Sequence, residues 1–310
     1  MPYQLWPPLT ADALSKCFSP AIERAVDGED SEWTATLRRQ AAKFEKRARP
    51  NPLWLPFRAW RRTGRHFRRA YERRWASESS LSRLDLGGGA PAPVVWGSRR
   101  YFAHVTGIKR VHLLYLIHLI DDLKPTRVLE VGSGMGHNLF ILAARFPETS
   151  FCGIELTDAG TGVAESIRAE EHLPDALGLF SPVPVRDTTA HKRVELHQGN
   201  AANLPFSDGH FDLVYTVQAL EQMDLIRHRV LREIARTSAG LTAMIEPFAD
   251  WNESPARRNR IRAFQFFSAS IADLEQYGLR PVFVSDDMPT KAHYGVGLVI
   301  AETMAAAGAQ

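Results

Sequence analysis

Two glutamates and three glycines grouped around one turn are the residues of this chain best suited to hold a small charged ligand. The run Val128-Leu129-Glu130-Val131-Gly132-Ser133-Gly134-Met135-Gly136 ends an apolar strand candidate in a carboxylate and continues as a glycine-rich turn. Asn138 to Arg145 then reads as the start of a helix. Strand, glycine turn and helix in that order place a nucleotide-type ligand at the carboxyl end of a parallel strand. Glycine lets the backbone approach the ligand closely, and the free N–H groups of the helix start face the same crevice. The spacing excludes a dinucleotide fingerprint, G-x-G-x-x-G: counted from Gly132 it needs glycine at 137, where His137 stands. Carboxylates at the lip favour a ligand with a cationic group and hydroxyls over a phosphate, which would require cations there.

A second acid follows at the distance a next strand requires. Phe151-Cys152-Gly153-Ile154-Glu155 is a short apolar strand candidate ending in Glu155, 19 residues after Gly136. That gap holds one helix and one strand, and an acid at the second strand's tip can accept two hydrogen bonds from a ribose diol. Gly199-Asn200-Ala201-Ala202-Asn203-Leu204-Pro205-Phe206 and the strand candidate Phe211–Val217, continuing through Gln218-Ala219-Leu220-Glu221, complete the series. Together these segments resemble the motifs of class I S-adenosylmethionine (SAM)-dependent methyltransferases, over roughly residues 100–300. The resemblance implies SAM as cofactor and S-adenosylhomocysteine as product. It implies that Glu130 holds the methionine ammonium, and that Gly132, Ser133, Gly134 and Gly136 pack against methionine and ribose. Leu156 would lie against the adenine, Asn200 would hydrogen-bond it with the Ala201 N–H alongside, and Gln218 would border the cofactor.

SAM carries its methyl group on a sulfonium, so the cofactor brings the reactive group and the protein brings position and electrostatics. A hydroxyl acceptor needs a base, and an amine must be neutral to attack. Many relatives carry a histidine after the fourth strand, where this chain has Glu221-Gln222-Met223. The candidate bases are, in order, Glu221, then His104 before the first core helix, then His293, which precedes Tyr294 in the loop before the last strand. The expected activity is methyl transfer to a small-molecule, glycan or lipid-linked acceptor, with O-methylation first and N- and C-methylation behind it. An RNA methyltransferase is the alternative enzyme; the absence of an Asn/Asp-Pro-Pro-Tyr tetrapeptide at 218–221 weighs against base N-methylation. A non-catalytic scaffold would not need Glu130, the glycines, Glu155 and Asn200.

The elements that must position these residues alternate. Helix 110–123 leads to strand 127–131, helix 138–145 to strand 150–155, and helix 158–171 to strand 193–198. Strand 211–217, helix 226–237, strand 241–245, helix 268–277 and strands 280–285 and 295–301 follow. Such alternation predicts an α/β fold, doubly wound around a mostly parallel sheet. The resemblance makes that sheet seven-stranded and Rossmann-like, with its last strand antiparallel. Residues 173–192, with Pro174, Pro182 and Pro184, are expected to form a surface excursion, and no Cys/His cluster shows metal-binding spacing.

The first third has another character. Residues 36–75 hold fourteen Lys/Arg against two acids, a local net of +12 that leaves the rest of the +3 chain near −9. Six of the seven tryptophans precede residue 100. Thr10–Val26 is a helical candidate capped by Thr10 and interrupted at Pro20, and residues 34–48 read as a basic helix. Between Leu53 and Trp75, apolar residues recur at steps of three and four with arginines between them, predicting an amphipathic helix. Its stripe would dock on the core or on an anionic membrane surface, both favoured over nucleic acid. The Gly/Pro-rich stretch 76–95 is read as a linker, dividing a helical extension at 1–95 from a SAM-binding domain at 96–310. Met1 to Pro8 shows no charged region followed by an apolar run, and no stretch is long enough to span a membrane. The expected setting is cytoplasmic, with peripheral contact at the inner membrane surface through residues 53–75.

Overall fold

A computed structural model describes residues 9–48, 72 and 81–304. The amphipathic stretch 53–75, Glu72 apart, lies outside the described residues. The main sheet has seven strands: β4 (Arg127–Val131), β5 (Ser150–Glu155), β6 (Glu195–Gln198), β7 (Phe211–Val217), β8 (Ser238–Glu246), β9 (Leu279–Ser285) and β11 (Gly297–Thr303). Their order is β6-β5-β4-β7-β8-β11-β9. The first five run parallel; β11 is antiparallel to both β8 and β9. Val128, Leu129, Val131, Leu213, Val214 and Tyr215 are all buried, as expected of strands covered on both faces. The covering helices include α3 (Val105–Leu123), α4 (His137–Arg145), α5 (Asp158–Ala169) and α7 (Arg227–Thr237). Parallel connection brings the carboxyl ends of β4, β5 and β7 to one edge, where the motif residues sit.

A second, antiparallel sheet of four short strands lies beside the first, in the order β1-β3-β2-β10. Its members are β1 (Ile22–Ala25), β2 (Ala92–Trp96), β3 (Arg99–Ala103) and β10 (Thr290–Lys291). Its composition corrects the reading of Thr10–Val26 as one helical candidate. Thr10 does cap α1 (Ala11–Phe18), its Oγ1 accepting from the Ala13 N–H at 3.2 Å. Pro20, which has no N–H to donate, then sits in a single 3-10 turn, and the chain leaves it extended to pair with β3. The line drawn at residue 95 falls within β2. Leu14 and Phe18 of α1 share one buried cluster with Leu113 and Leu116 of α3.

Residues 173–192 also differ from the surface excursion expected. Pro174 starts a short helix, α6 (Asp175–Phe180), whose Leu177 and Phe180 enter the core. Arg110 anchors the turn after it through the carbonyls of Phe180 and Ser181 (3.0 and 3.1 Å) and ties both to the Cys17 carbonyl (3.2 Å). Helix α8 (Pro255–Phe264) was not anticipated, although Ser254-Pro255 carries its start signal: Ser254 caps the Arg257 N–H and Pro255 opens the first turn. It packs on α2 (Ser31–Ala48), with Phe44 and Phe264 5.9 Å apart edge to face. No described helix is long and apolar enough to cross a membrane.

Candidate active site

A cavity of about 370 Å³ opens at the carboxyl edge of β4, β5 and β7. Glu130, Gly132, Ser133, Gly134, Glu155, Leu156, Asn200, Ala201, Gln218 and Glu221 all line it. The glycine turn owes its path to backbone angles that side-chain-bearing residues rarely adopt: φ is +79° at Gly132, +56° at Gly134 and +74° at Gly136. A Cβ on Gly132 would lie 2.6 Å from that of Ala219, so glycine there lets the β4 turn and the β7 exit loop share one wall. Gly136 faces away from the cavity. Its space is taken by Phe140, 2.8 Å from where a Cβ would stand, so it packs α4 against the turn.

Glu130 is 2 % exposed. Its Oε1 accepts from the Asn138 amide at 3.0 Å; among the described residues its Oε2 makes no hydrogen bond of good geometry, the nearby Tyr215 hydroxyl included. Burial pushes this carboxyl up to about 8, against the pull of Asn138 and the Tyr215 hydroxyl, and the negative Glu155 adds to the rise. An orphaned buried acceptor on a cavity wall is the complement of a cation, and the ammonium of SAM fits it. Glu155 is held by its own turn: Oε1 accepts from Thr157 N–H (3.0 Å) and Oγ1 (2.6 Å), and Oε2 from Gly134 N–H (3.1 Å). One lone pair remains on Oε2 for a ribose hydroxyl. Asn200 spends its Oδ1 on the Ala202 N–H at 2.9 Å, leaving its NH₂ as a donor toward an adenine nitrogen. These residues fit the cofactor.

Another part of the cavity wall is assembled around Glu221. The backbone leaves β7 through Gln218 in the left-handed region (φ +50°), fixed by its N–H bond to the Ile245 carbonyl at 2.9 Å. Fully buried Glu246 then accepts from Ala219 and Leu220 N–H (2.9 and 3.1 Å), holding the turn that presents Glu221. Burial pushes Glu246 up to about 8, with the Glu221 charge adding to the rise. The Tyr294 hydroxyl donates to Glu221 Oε2, and Gln222 Nε2 donates to Oε1 at 2.9 Å. Burial raises the Glu221 carboxyl, while Tyr294, Gln222, Lys291 and Arg260 pull it back. The Arg260 guanidinium lies over the Tyr294 ring, 4.6 Å from its centre.

The two histidine candidates stand elsewhere. His104 precedes the first residue of α3, its side chain turned from the helix N–H groups, with Nδ1 3.2 Å from the Gly88 carbonyl and Nε2 3.6 Å from Glu23. His293 bonds through Nε2 to the Leu37 carbonyl at 3.1 Å and meets Phe44 edge to face. Neither lines the cavity. Sequence reading missed Asn138, Thr157 and Lys109. Thr157 had a signal, a threonine opening an amphipathic helix, where it caps the Gly160 N–H. Asn138 and Lys109 are brought to the wall by helix geometry that no motif announces.

Comparison with known proteins agrees with this geometry. A family described as "Methyltransferase domain" matches residues 129–239. Norajmaline N-methyltransferase of Rauvolfia serpentina is 28% identical over 146 residues, 46% of this chain and 44% of that protein. A probable chloroplastic tocopherol O-methyltransferase of Oryza sativa subsp. japonica is 27% identical over 137 residues, 44% of this chain and 33% of that protein. The chain thus spans less than half the length of these curated relatives. Geranyl diphosphate C-methyltransferase from Streptomyces coelicolor A3(2), solved with Mg²⁺, geranyl diphosphate and S-adenosyl-L-homocysteine, superposes with a TM-score of 0.51 at 15% identity. That likeness covers 77% of this chain and 98% of the other and concerns the fold.

Proposed function

We propose that this chain, whose residues 129–239 form a methyltransferase domain on a class I Rossmann-like sheet, is a SAM-dependent enzyme that methylates a hydroxyl on a small, largely apolar acceptor. Bound SAM supplies the methyl group from its sulfonium. Glu130, Glu155 and Asn200 hold its ammonium, ribose and adenine, and Glu221 takes the proton the acceptor oxygen loses. The observation that carries the reading is the position of Glu221: on the cavity wall, its two oxygens fixed by Tyr294 and Gln222, and its carboxyl raised above the usual range by burial. A carboxylate so raised is a stronger base than one in water. Leu84, Phe180, Met223, Leu225 and Ile226 line the same cavity and give an acceptor's apolar body a surface to displace water from. The charge of residues 36–75 would draw the enzyme to an anionic surface where amphiphilic acceptors collect; co-sedimentation with anionic but not neutral vesicles checks that part.

The test of the reaction is mass spectrometry with isotope-labelled SAM and matched pairs of hydroxyl- and amine-bearing aromatic acceptors. Label is expected on the oxygen of the hydroxyl member, with turnover falling in Glu221→Gln. Label on the amine member alone, at a rate Glu221→Gln leaves unchanged, would replace O-methylation by N-methylation.

A further inference from the structure

The β5–β6 pair carries a second group of chemistry-bearing side chains, away from the cavity. Cys152 and Glu195 are direct partners across the parallel ladder, and His197 follows two residues on, opposite Ile154. The two-residue period of a strand turns Glu195 and His197 to one face, which Cys152 shares. The thiol sulfur, a carboxylate oxygen and an imidazole nitrogen all lie within 4.8 Å of one another. Between Glu195 Oε2 and His197 Nε2 the distance is 3.9 Å. The Phe206 ring stands edge to face with His197, 5.2 Å between centres. Sequence spacing gave no hint of this group; the parallel pairing of β5 with β6 assembles it.

The three ligand types decide what would bind. Calcium and magnesium take oxygen ligands, whereas a thiolate with an imidazole and a carboxylate suits zinc. Tetrahedral zinc with its usual bond lengths needs ligand atoms roughly 3.4–3.6 Å apart. Rotation of the exposed Glu195 and half-exposed His197 side chains, at 73% and 40% exposure, closes the remaining gap without moving the strands. We propose that Cys152, Glu195 and His197 form a binding site for a thiophilic divalent cation of the zinc class, with water as the fourth ligand. On binding, the sulfur–metal bond forms and the thiol proton leaves to solvent. The ion would tie the edge strand β6 to β5. Glu155 lies three residues beyond Cys152, and Asn200 three beyond His197. Occupancy would therefore stiffen the strand ends that carry the ribose and adenine partners and raise cofactor affinity, and bound cofactor would raise metal affinity by the same factor.

Cobalt(II) is the probe, because a thiolate bond to it gives a sulfur-to-metal charge-transfer absorption. The full chain, stripped of metal with chelator, should bind one equivalent of Co²⁺ with that absorption, and Zn²⁺ should abolish the signal by displacement. Cys17→Ser should leave the signal intact, since the other free thiol lies in a different part of the fold. Cys152→Ser should remove it. His197→Gln, at a half-exposed position, should weaken Co²⁺ binding at least tenfold with an unchanged melting temperature in chelator. No charge-transfer band, a band lost in Cys17→Ser instead, or Co²⁺ affinity indifferent to His197→Gln would each overturn the site. The readout is independent of methyl transfer, so failure here leaves the proposed reaction standing.

Discussion

The cofactor end of the cavity and its acceptor end are built in opposite ways. The cofactor end is local in sequence. Glu130, the glycine turn and Asn138 come from one strand–turn–helix unit, and Glu155 with Thr157 from the next. The acceptor end is gathered from distant segments. Glu221 leaves β7, Tyr294 comes from the loop before β11, Arg260 from α8, and Phe44 of α2 packs behind them. A cofactor common to many enzymes can be held by short motifs at successive strand ends, whereas the rest of the cavity depends on how peripheral elements fold over the sheet edge.

If the two ends are separable, substitutions should divide cleanly between turnover and cofactor affinity. The largest effect is expected at the acceptor end: Glu221→Gln should lower kcat about 10²- to 10⁴-fold, the range for loss of a general base, with SAM affinity unchanged by calorimetry. A parallel fall in SAM affinity would join the two ends into one. At the cofactor end, Gly132→Val combines a branched side chain at positive φ with a collision against Ala219. It should weaken SAM at least about a hundredfold, close to 3 kcal/mol. Glu155→Ala should cost roughly 1.5–3 kcal/mol, or about ten- to a hundredfold, through loss of charge-assisted bonds to the ribose.

Smaller effects sharpen the contrast through pH. Glu130 and Glu246, both near 8 when folded, titrate near 4.3 when unfolded. Between those values these two carboxyls bind more protons in the folded chain than in the unfolded one, so their contribution to stability falls as pH rises. Buried His112, held down to about 3, takes a proton only on unfolding and opposes this below about pH 6.5, so the melting temperature of the cofactor-free protein should decline from about pH 6.5 to pH 8. Glu246→Gln, which keeps an oxygen for Ala219 and Leu220 N–H, should flatten that decline; an unchanged slope would mean Glu246 titrates normally. The smallest effect is expected of Tyr294→Phe. Its hydroxyl stabilises ionised Glu221, so its removal should move the acidic limb of the pH–rate profile upward without a loss comparable to Glu221→Gln.

What was legible in the sequence follows the same division. Alternating strands and helices of ordinary length leave few arrangements and pointed to the doubly wound sheet; its seven strands and antiparallel last strand, expected from the resemblance, appeared too. Nine of the ten cofactor residues read from the motifs line the cavity; Gly136 instead supports helix packing. The peripheral elements were harder to read. Ile22–Ala25 is too short to show alternation, and its partner Arg99–Ala103 lies far along the chain. Helix α6 hid among prolines that looked like a loop. His104 and His293 were named by type and neighbourhood, yet their bonds to Gly88 and Leu37 depend on tertiary contacts absent from any local pattern.

If the buried wall of Glu130 is the ammonium seat of SAM, proton-linked calorimetry at pH 7 should read it out. In the free protein this carboxyl, near 8, is mostly protonated at pH 7. A cation placed beside this carboxyl draws its pKa down, so binding must expel a proton. Titrations of SAM in two buffers of different ionisation enthalpy should show one site and release approaching one proton per SAM, with Glu130→Gln binding more weakly and releasing almost none. One-site binding with the same proton count in wild type and Glu130→Gln, or no binding to the folded wild type, would contradict it.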